Sequence, residues 1–142
     1  MVTNNDNMQE APHRMTKQRQ VLLEALQRVK SHPTADELYA MVREELPKVS
    51  LGTVYRNLDV LVKTGQIRKL ENPGGQSRYD ADLSDHYHVR CQGCGGIGDV
   101  SLEDHPQLSL PKQRSSQYTI TEYRLEFLGW CPRCLAKEET AQ

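Results

Sequence analysis

The chain has 142 residues, 37% apolar and 26% charged, with a net charge of −1 at pH 7. That is enough for one full domain or two small ones with an ordinary globular composition. No apolar run approaches the roughly 20 residues of a membrane helix, so a membrane partner is not expected. The near-zero charge excludes a strong global field for nucleic acid. Residues 1–80 carry twelve Lys/Arg against ten Asp/Glu and residues 81–142 carry six against nine, so a basic half is joined to an acidic one.

Residues 1–13 are polar and lack the apolar core of a secretory signal; they read as a disordered arm of a cytoplasmic protein. "TKQRQVLLEALQRV" (16–29) has helical spacing at Val21, Leu22, Ala25, Leu26 and Val29, with Thr16 as N-cap. In "SHPTADELYAMVREELP" Thr34 caps a second helix with Glu37 as capping-box partner, Leu38, Tyr39, Val42 and Leu46 face inward, and Pro47 stops it. "SLGTVYRNLDVLVKTG" predicts a third helix, capped by Ser50, buried through Val54, Leu58, Leu61 and Val62, and ended by Gly65. "QIRKLENPGGQSRYD" reads as a strand, a Pro-Gly-Gly turn and a strand.

Three helices and a hairpin are the order of a winged helix-turn-helix, whose third helix enters the major groove. A generic three-helix bundle is the plainer alternative. The third helix favours the first, because Thr53, Arg56 and Asn57 are expected on an exposed polar face, joined by Tyr55. Arg and Asn read guanine and adenine edges. Ser50, Thr53 and Lys63 are placed to hold phosphates, and Lys17 and Arg19 complete the expected DNA contacts.

"ADLSD" (81–85) is a polar connector, which puts a winged-helix domain at 14–80, a hinge at 81–85 and a second domain at 86–142. Beyond it, "HYHVRC" and "GGIGDVS" read as two strands around a tight turn. "TITEYRLEFLGWC" alternates Tyr123, Leu125 and Phe127 with Glu122, Arg124 and Glu126, a period-2 strand. Residues 103–117 are expected to hold at most a short or broken helix, because of Pro106 and Pro111. So small a sheet has open edges, and pairing with a second copy would complete it. The fold class is α+β.

Cys91, Cys94, Cys131 and Cys134 form two CxxC pairs. Two such knuckles supply tetrahedral Zn²⁺ with four thiolates and no open position. A redox CxxC does not need two pairs, and unliganded buried cysteine leaves the spacing unexplained. Loss of this structural zinc should unfold the second domain.

His86 and His88 lie two apart, so on a strand both imidazoles leave by one face while Cys91 leaves by the other. That argues for a second site. Asp80, Asp99 and His32 are the residues that could join them. A lone turn histidine such as His32 is ordinarily solvent-facing or a cap. Three nitrogens and two carboxylates suit Fe²⁺ or Mn²⁺, with Zn²⁺ possible. His13 and His105 have no assigned role and are expected to face solvent.

"HPTADELYAMV", "VSLGTVYRNLDVLVKTG", "SRYDADLSDHYHVRCQGCGGIGD" and "RLEFLGWCPRC" together resemble the ferric uptake regulator (Fur) family over residues 14 to 137, most closely its peroxide-sensing PerR branch. The sequence Asp85-His86-Tyr87-His88, where iron and zinc sensors commonly read HHDH, and the carboxylates Asp80 and Asp99, where iron sensors usually carry glutamate, are similar to the peroxide branch. Arg56 departs from it, since well-known peroxide sensors have asparagine there.

The resemblance implies a homodimeric, metal-dependent repressor of operator DNA with an N-terminal winged helix and a C-terminal α/β dimerisation domain. It implies structural zinc at the four cysteines and a regulatory Fe²⁺ or Mn²⁺ at His32, Asp80, His86, His88 and Asp99. It further implies that peroxide adds oxygen to His32 or His86 when the metal is iron. Three alternatives stand beside it: an iron-, zinc- or manganese-responsive repressor without peroxide chemistry, a small metallohydrolase, and a zinc-ribbon binding module. Nothing resembles a general base beside an open metal, so no enzyme is expected.

Overall fold

The computed structural model describes residues 14–72, 74–101, 103, 114–115 and 117–140. Residues 1–13, Pro73, the proline-bearing stretch around Pro106 and Pro111, and both His13 and His105 lie outside the described residues. The chain divides into two units, Met1–Leu83 and Ser84–Gln142.

The first unit contains α1 (Lys17–Gln27), α2 (Ala35–Val42), α3 (Leu51–Lys63), β1 (Arg68–Leu70) and β2 (Arg78–Asp80). Each helix begins at a side-chain oxygen that accepts from the backbone N–H three residues on: Thr16 from Arg19, Thr34 from Glu37, Ser50 from Thr53. Such caps satisfy donors that have no partner within the helix. The α2 helix ends at Val42, short of Pro47, yet Leu46 still packs into the core. At the end of α3, Gln66 N–H donates to the Leu61 carbonyl and Gly65 N–H to that of Val62, with Gly65 at φ 75°. This 6→1 and 5→2 pair needs a left-handed residue at that position, which is why glycine sits there.

The core of this unit gathers Leu22 and Leu26 of α1, Leu38 and Val42 of α2, Val54, Leu58 and Leu61 of α3, and Ile67 and Tyr79 from the hairpin. The two strands pair antiparallel with Arg68 opposite Asp80. A further bridge joins Thr34 to Arg78, and Tyr79 N–H donates to the Pro33 carbonyl. The turn before α2 is thereby sewn to β2. Helix-turn-helix plus hairpin wing is the expected winged helix.

The second unit contains β3 (Tyr87–Cys91), β4 (Ile97–Val100), β5 (Arg114–Ser115), β6 (Tyr118–Thr119), β7 (Phe127–Gly129) and α4 (Pro132–Thr140). Its sheet has the order β4-β3-β7, antiparallel on one side of β3 and parallel on the other, and β5 and β6 form a separate ladder. Among the described residues its buried apolar side chains are Cys91, Ile97 and Cys134.

Two expectations require correction here. The period-2 stretch from Thr119 to Cys131 supplies β7 only over Phe127–Gly129, in register with Val89–Cys91. Continued upstream, that register runs off the start of β3 at Tyr87. Upstream of Phe127 the alternation records only a half-buried Leu125 without a ladder. Second, the sequence after Cys131 folds as helix α4, where only a knuckle was expected. The missed signal is Pro132 at the first helical position, where a proline loses no hydrogen bond, followed by good helix formers.

Candidate metal centres and nucleic-acid face

The four thiols converge. Their sulfurs all lie within 4.8 Å of one another, and Cys94 Sγ is 3.9 Å from Cys131 Sγ. Four sulfurs about 2.3 Å from a shared zinc sit about 3.8 Å apart, so the set fits that ion. Backbone geometry prepares it. Gly95, at φ 74°, turns the chain so that its N–H reaches the Cys91 carbonyl, and Gly96 N–H then donates to Cys94 Sγ. Cys131 N–H donates to Cys91 Sγ at 3.3 Å. That hydrogen bond, reinforced by the one from Cys94, holds the Cys91 thiol down at about 6, so it is a ready thiolate.

Cys131 is also the residue before α4, and its sulfur accepts from Cys134 N–H as a serine cap would. This lowers the Cys131 thiol as well. Hydrogen bonding to Cys131, then burial, pushes Cys134 up to about 12, so this proton must leave when a metal enters. Gly93 lies against the cluster: a Cβ there would stand 2.8 Å from Cys134 Sγ and 3.1 Å from Trp130 Cζ3. Gly93→Ala should therefore spread the thiols, and zinc retention against a competing chelator should fall at least tenfold without loss of the first unit.

The histidine cluster of the second unit comes from strand pairing. His88 stands directly opposite Asp99 across the β3–β4 ladder, which places both side chains on one face. His86 precedes the strand on the same face, its ring 4.6 Å from that of His88. One carboxylate oxygen of Asp99 lies 3.5 Å from His86 Nε2 and 3.6 Å from His88 Nε2. Ligands about 2.1 Å from a common ion stand about 3 to 3.5 Å apart, so the three atoms are spaced for a cation. His86 Nδ1 is 2.7 Å from the Ser84 carbonyl. A carbonyl only accepts, so Nδ1 carries the proton and Nε2 keeps its lone pair for a metal.

In the first unit His32 is 2% exposed and Asp80 is 3% exposed, so this turn histidine is not solvent-facing. Its Nδ1 is 3.7 Å from Asp80 Oδ1, again too long for a hydrogen bond and close to ligand spacing. His32 has φ 51°, a left-handed conformation uncommon outside glycine. The hydrogen bond from Arg78 to its carbonyl and the Pro33 and Thr34 links to β2 hold it there. Strain of this kind persists where surrounding structure over-determines it, and it concentrates at functional positions.

The DNA-facing expectations divide. Lys17, Ser50, Tyr55 and Arg56 are exposed, and Arg19 and Thr53 are half-buried. Ser50 Oγ is 2.9 Å from Thr53 Oγ1, which accepts from Arg56 Nη2 at 3.0 Å. This chain of hydrogen bonds aims the Arg56 guanidinium along α3. Asn57 is a correction: it is buried at 7% exposure, not on the outer face. Positions 54, 57, 58 and 61 form the i, i+3, i+4, i+7 stripe, so the helical period itself carries Asn57 inward. Its Oδ1 accepts from Arg19 Nε at 3.1 Å, while its Nδ2 is buried without a hydrogen-bond partner among the described residues. Such an unsatisfied donor costs about 1–3 kcal/mol.

A winged helix followed by a sheet unit with a four-thiolate centre defines a metal-binding winged-helix protein. The profile described as "Ferric uptake regulator family" matches residues 10–128. The chain belongs to that family. It is 33% identical over 131 residues, 92% of this chain and 88% of the relative, to a protein named peroxide-responsive repressor PerR from Staphylococcus aureus strain USA300. It is 28% identical to the peroxide stress regulator of Campylobacter jejuni, whose crystal structure superposes with a TM-score of 0.62 over 92% of this chain and 95% of that one. The Helicobacter pylori ferric uptake regulator Fur, at 22% identity, shares the fold with a TM-score of 0.67 over 92% of this chain and 87% of that one.

Proposed function

We propose that this chain is a metal-dependent, peroxide-responsive transcriptional repressor, acting in the cytoplasm as a homodimer on operator DNA. Family membership and the 33% identical repressor support the class of function. The observation that carries the metal dependence is the pair of incomplete ligand sets, one in each unit. His32 and Asp80 offer one nitrogen and one carboxylate; His86, His88 and Asp99 offer two nitrogens and one carboxylate. Neither set alone fills the shell of a divalent ion, and together their three nitrogens and two carboxylates suit Fe²⁺ or Mn²⁺. In this reading all five hold one regulatory ion, and the four cysteines hold structural Zn²⁺.

Residues 14–80 then form the DNA-binding domain, 81–85 a hinge and 86–142 the dimerisation domain. Lys17, Arg19, Ser50, Thr53, Tyr55 and Arg56 are its DNA contacts. The outer edge of β7, with Leu128 and Trp130 exposed beside it, suits pairing with a second copy. An ion held by both domains fixes the spacing of two recognition helices, which must match half-sites about 34 Å apart or a multiple of that. Metal and operator favour the same state, so each raises the affinity for the other.

Ferrous iron, if held by these five residues, would supply the electrons that activate peroxide; His32 or His86 would then take up one peroxide oxygen on its ring, the other leaving as water. The modified imidazole is a poor ligand, and the operator is released. The test is operator binding with Fe²⁺, Mn²⁺ and Zn²⁺ in turn, before and after peroxide, with peptide mass analysis. Peroxide should abolish binding of the iron form alone, with a gain of about 16 Da on a peptide holding His32 or His86. Release without that gain, or none at all, supports instead a metal-responsive repressor lacking peroxide chemistry.

A further inference from the structure

We propose that Asn57 is a positioning residue for DNA binding: it reads no base, and its amide oxygen fixes the Arg19 guanidinium so that this group clasps an operator phosphate. The inference rests on the DNA-binding reading above. Asn57 lies on the buried stripe of α3 between Val54 and Leu61, where an apolar side chain would ordinarily stand. Its polar group is kept there despite a donor with no partner among the described residues. The bond it makes crosses from the third helix to the first, 38 positions away in sequence, and lands on Arg19 Nε.

Arg19 is held at two further points and by its place in a helix. Its backbone N–H donates to the Thr16 hydroxyl, its Nη1 donates to the Arg14 carbonyl, and its own turn is the first of α1. A guanidinium with Nε fixed by one partner and Nη1 by another has its plane set. The remaining Nη2 hydrogens then point in a determined direction, and a planar fork so ordered loses little entropy when it takes a phosphate oxygen. The arrangement parallels the hold of Thr53 on Arg56 on the same helix. Each presented guanidinium therefore has one polar side chain of α3 to orient it.

Asn57→Leu is the direct test, since leucine shares the branching at Cγ and suits Val54, Leu58 and Leu61; leucine is bulkier, so Asn57→Ala is the companion should it overpack. The probe is a duplex selected from a random pool by the wild-type protein with Mn²⁺. Thermal stability should be unchanged or raised in Asn57→Leu. Affinity should fall roughly tenfold or more, as for loss of a charged hydrogen bond. The slope of log K against log salt should become shallower by about 1, as for one lost phosphate contact. Arg19→Gln should do the same, and the double variant should lose nothing further. The Arg19 Nε–H resonance, slow to exchange in the free wild-type protein, should exchange fast in Asn57→Leu.

An unchanged salt slope in a folded Asn57 variant overturns the inference. So does a loss that adds fully to that of Arg19→Gln, or an Arg19 Nε–H that exchanges as before. Failure of the wild-type protein to select any duplex would count against the DNA-binding reading itself, while the exchange measurement still decides whether the brace exists.

Discussion

Stripping metal from the four cysteines is expected to unfold the second unit and leave the first folded. The magnitudes decide this. Among its described residues the second unit buries one aliphatic side chain, Ile97, apart from two cysteines. Full burial of such a side chain contributes about 1.5–3 kcal/mol, against an ordering cost of 1–2 kcal/mol for each residue's backbone alone. A structural zinc contributes about 10–16 kcal/mol in small thiolate domains, more than most whole domains have in net stability. The first unit has its own continuous core and includes none of these ligands.

Amide exchange after chelation under reducing conditions, or in Cys94→Ser, should therefore lose protection in β3, β4, β7 and α4 while α1, α2 and α3 keep theirs. Retained protection of β3 in protein shown to be free of zinc would exclude a structural role for the ion.

His32→Asn should abolish the metal-dependent gain in operator affinity, about 5- to 150-fold for typical coupling between two sites, without unfolding the winged helix. Asparagine is chosen for the backbone. At φ 51° an alanine would carry a left-handed penalty of about 1–2 kcal/mol, and any loss would confound ligand with strain. Asparagine tolerates this conformation but lacks the imidazole nitrogen. Titration of DNA with and without Mn²⁺ reads the outcome. The wild-type protein should bind far better with the ion, and the variant equally poorly with or without it. If the variant keeps the wild-type ratio, His32 is no ligand and the shared-ion reading fails.

Much of the fold was legible because helix caps are local chemistry: Thr16, Thr34 and Ser50 announce their helices within four residues, and Gly65 announces an end. The thiolate centre was legible from ligand spacing alone. The pairing of His86 and His88 followed from the period of a strand, but the partnership with Asp99 depends on β3–β4 register, which no local pattern specifies. His32 was harder. Its place is set by the hydrogen bond from Arg78 to its own carbonyl and by that from Tyr79 to the carbonyl of Pro33, both from more than 40 positions downstream. Asn57 was misplaced because its chemistry was weighed before its helical position, and α4 because CPRC was read for its cysteines and not for its proline.

The one tryptophan of the chain, Trp130, sits beside Gly93 in the second unit, while tyrosines occur in both. Excitation in the red edge of the absorption band thus illuminates the thiolate end of the molecule and leaves the winged helix dark. Two melting events that overlap in circular dichroism become separable by colour, with no dye attached and no residue replaced.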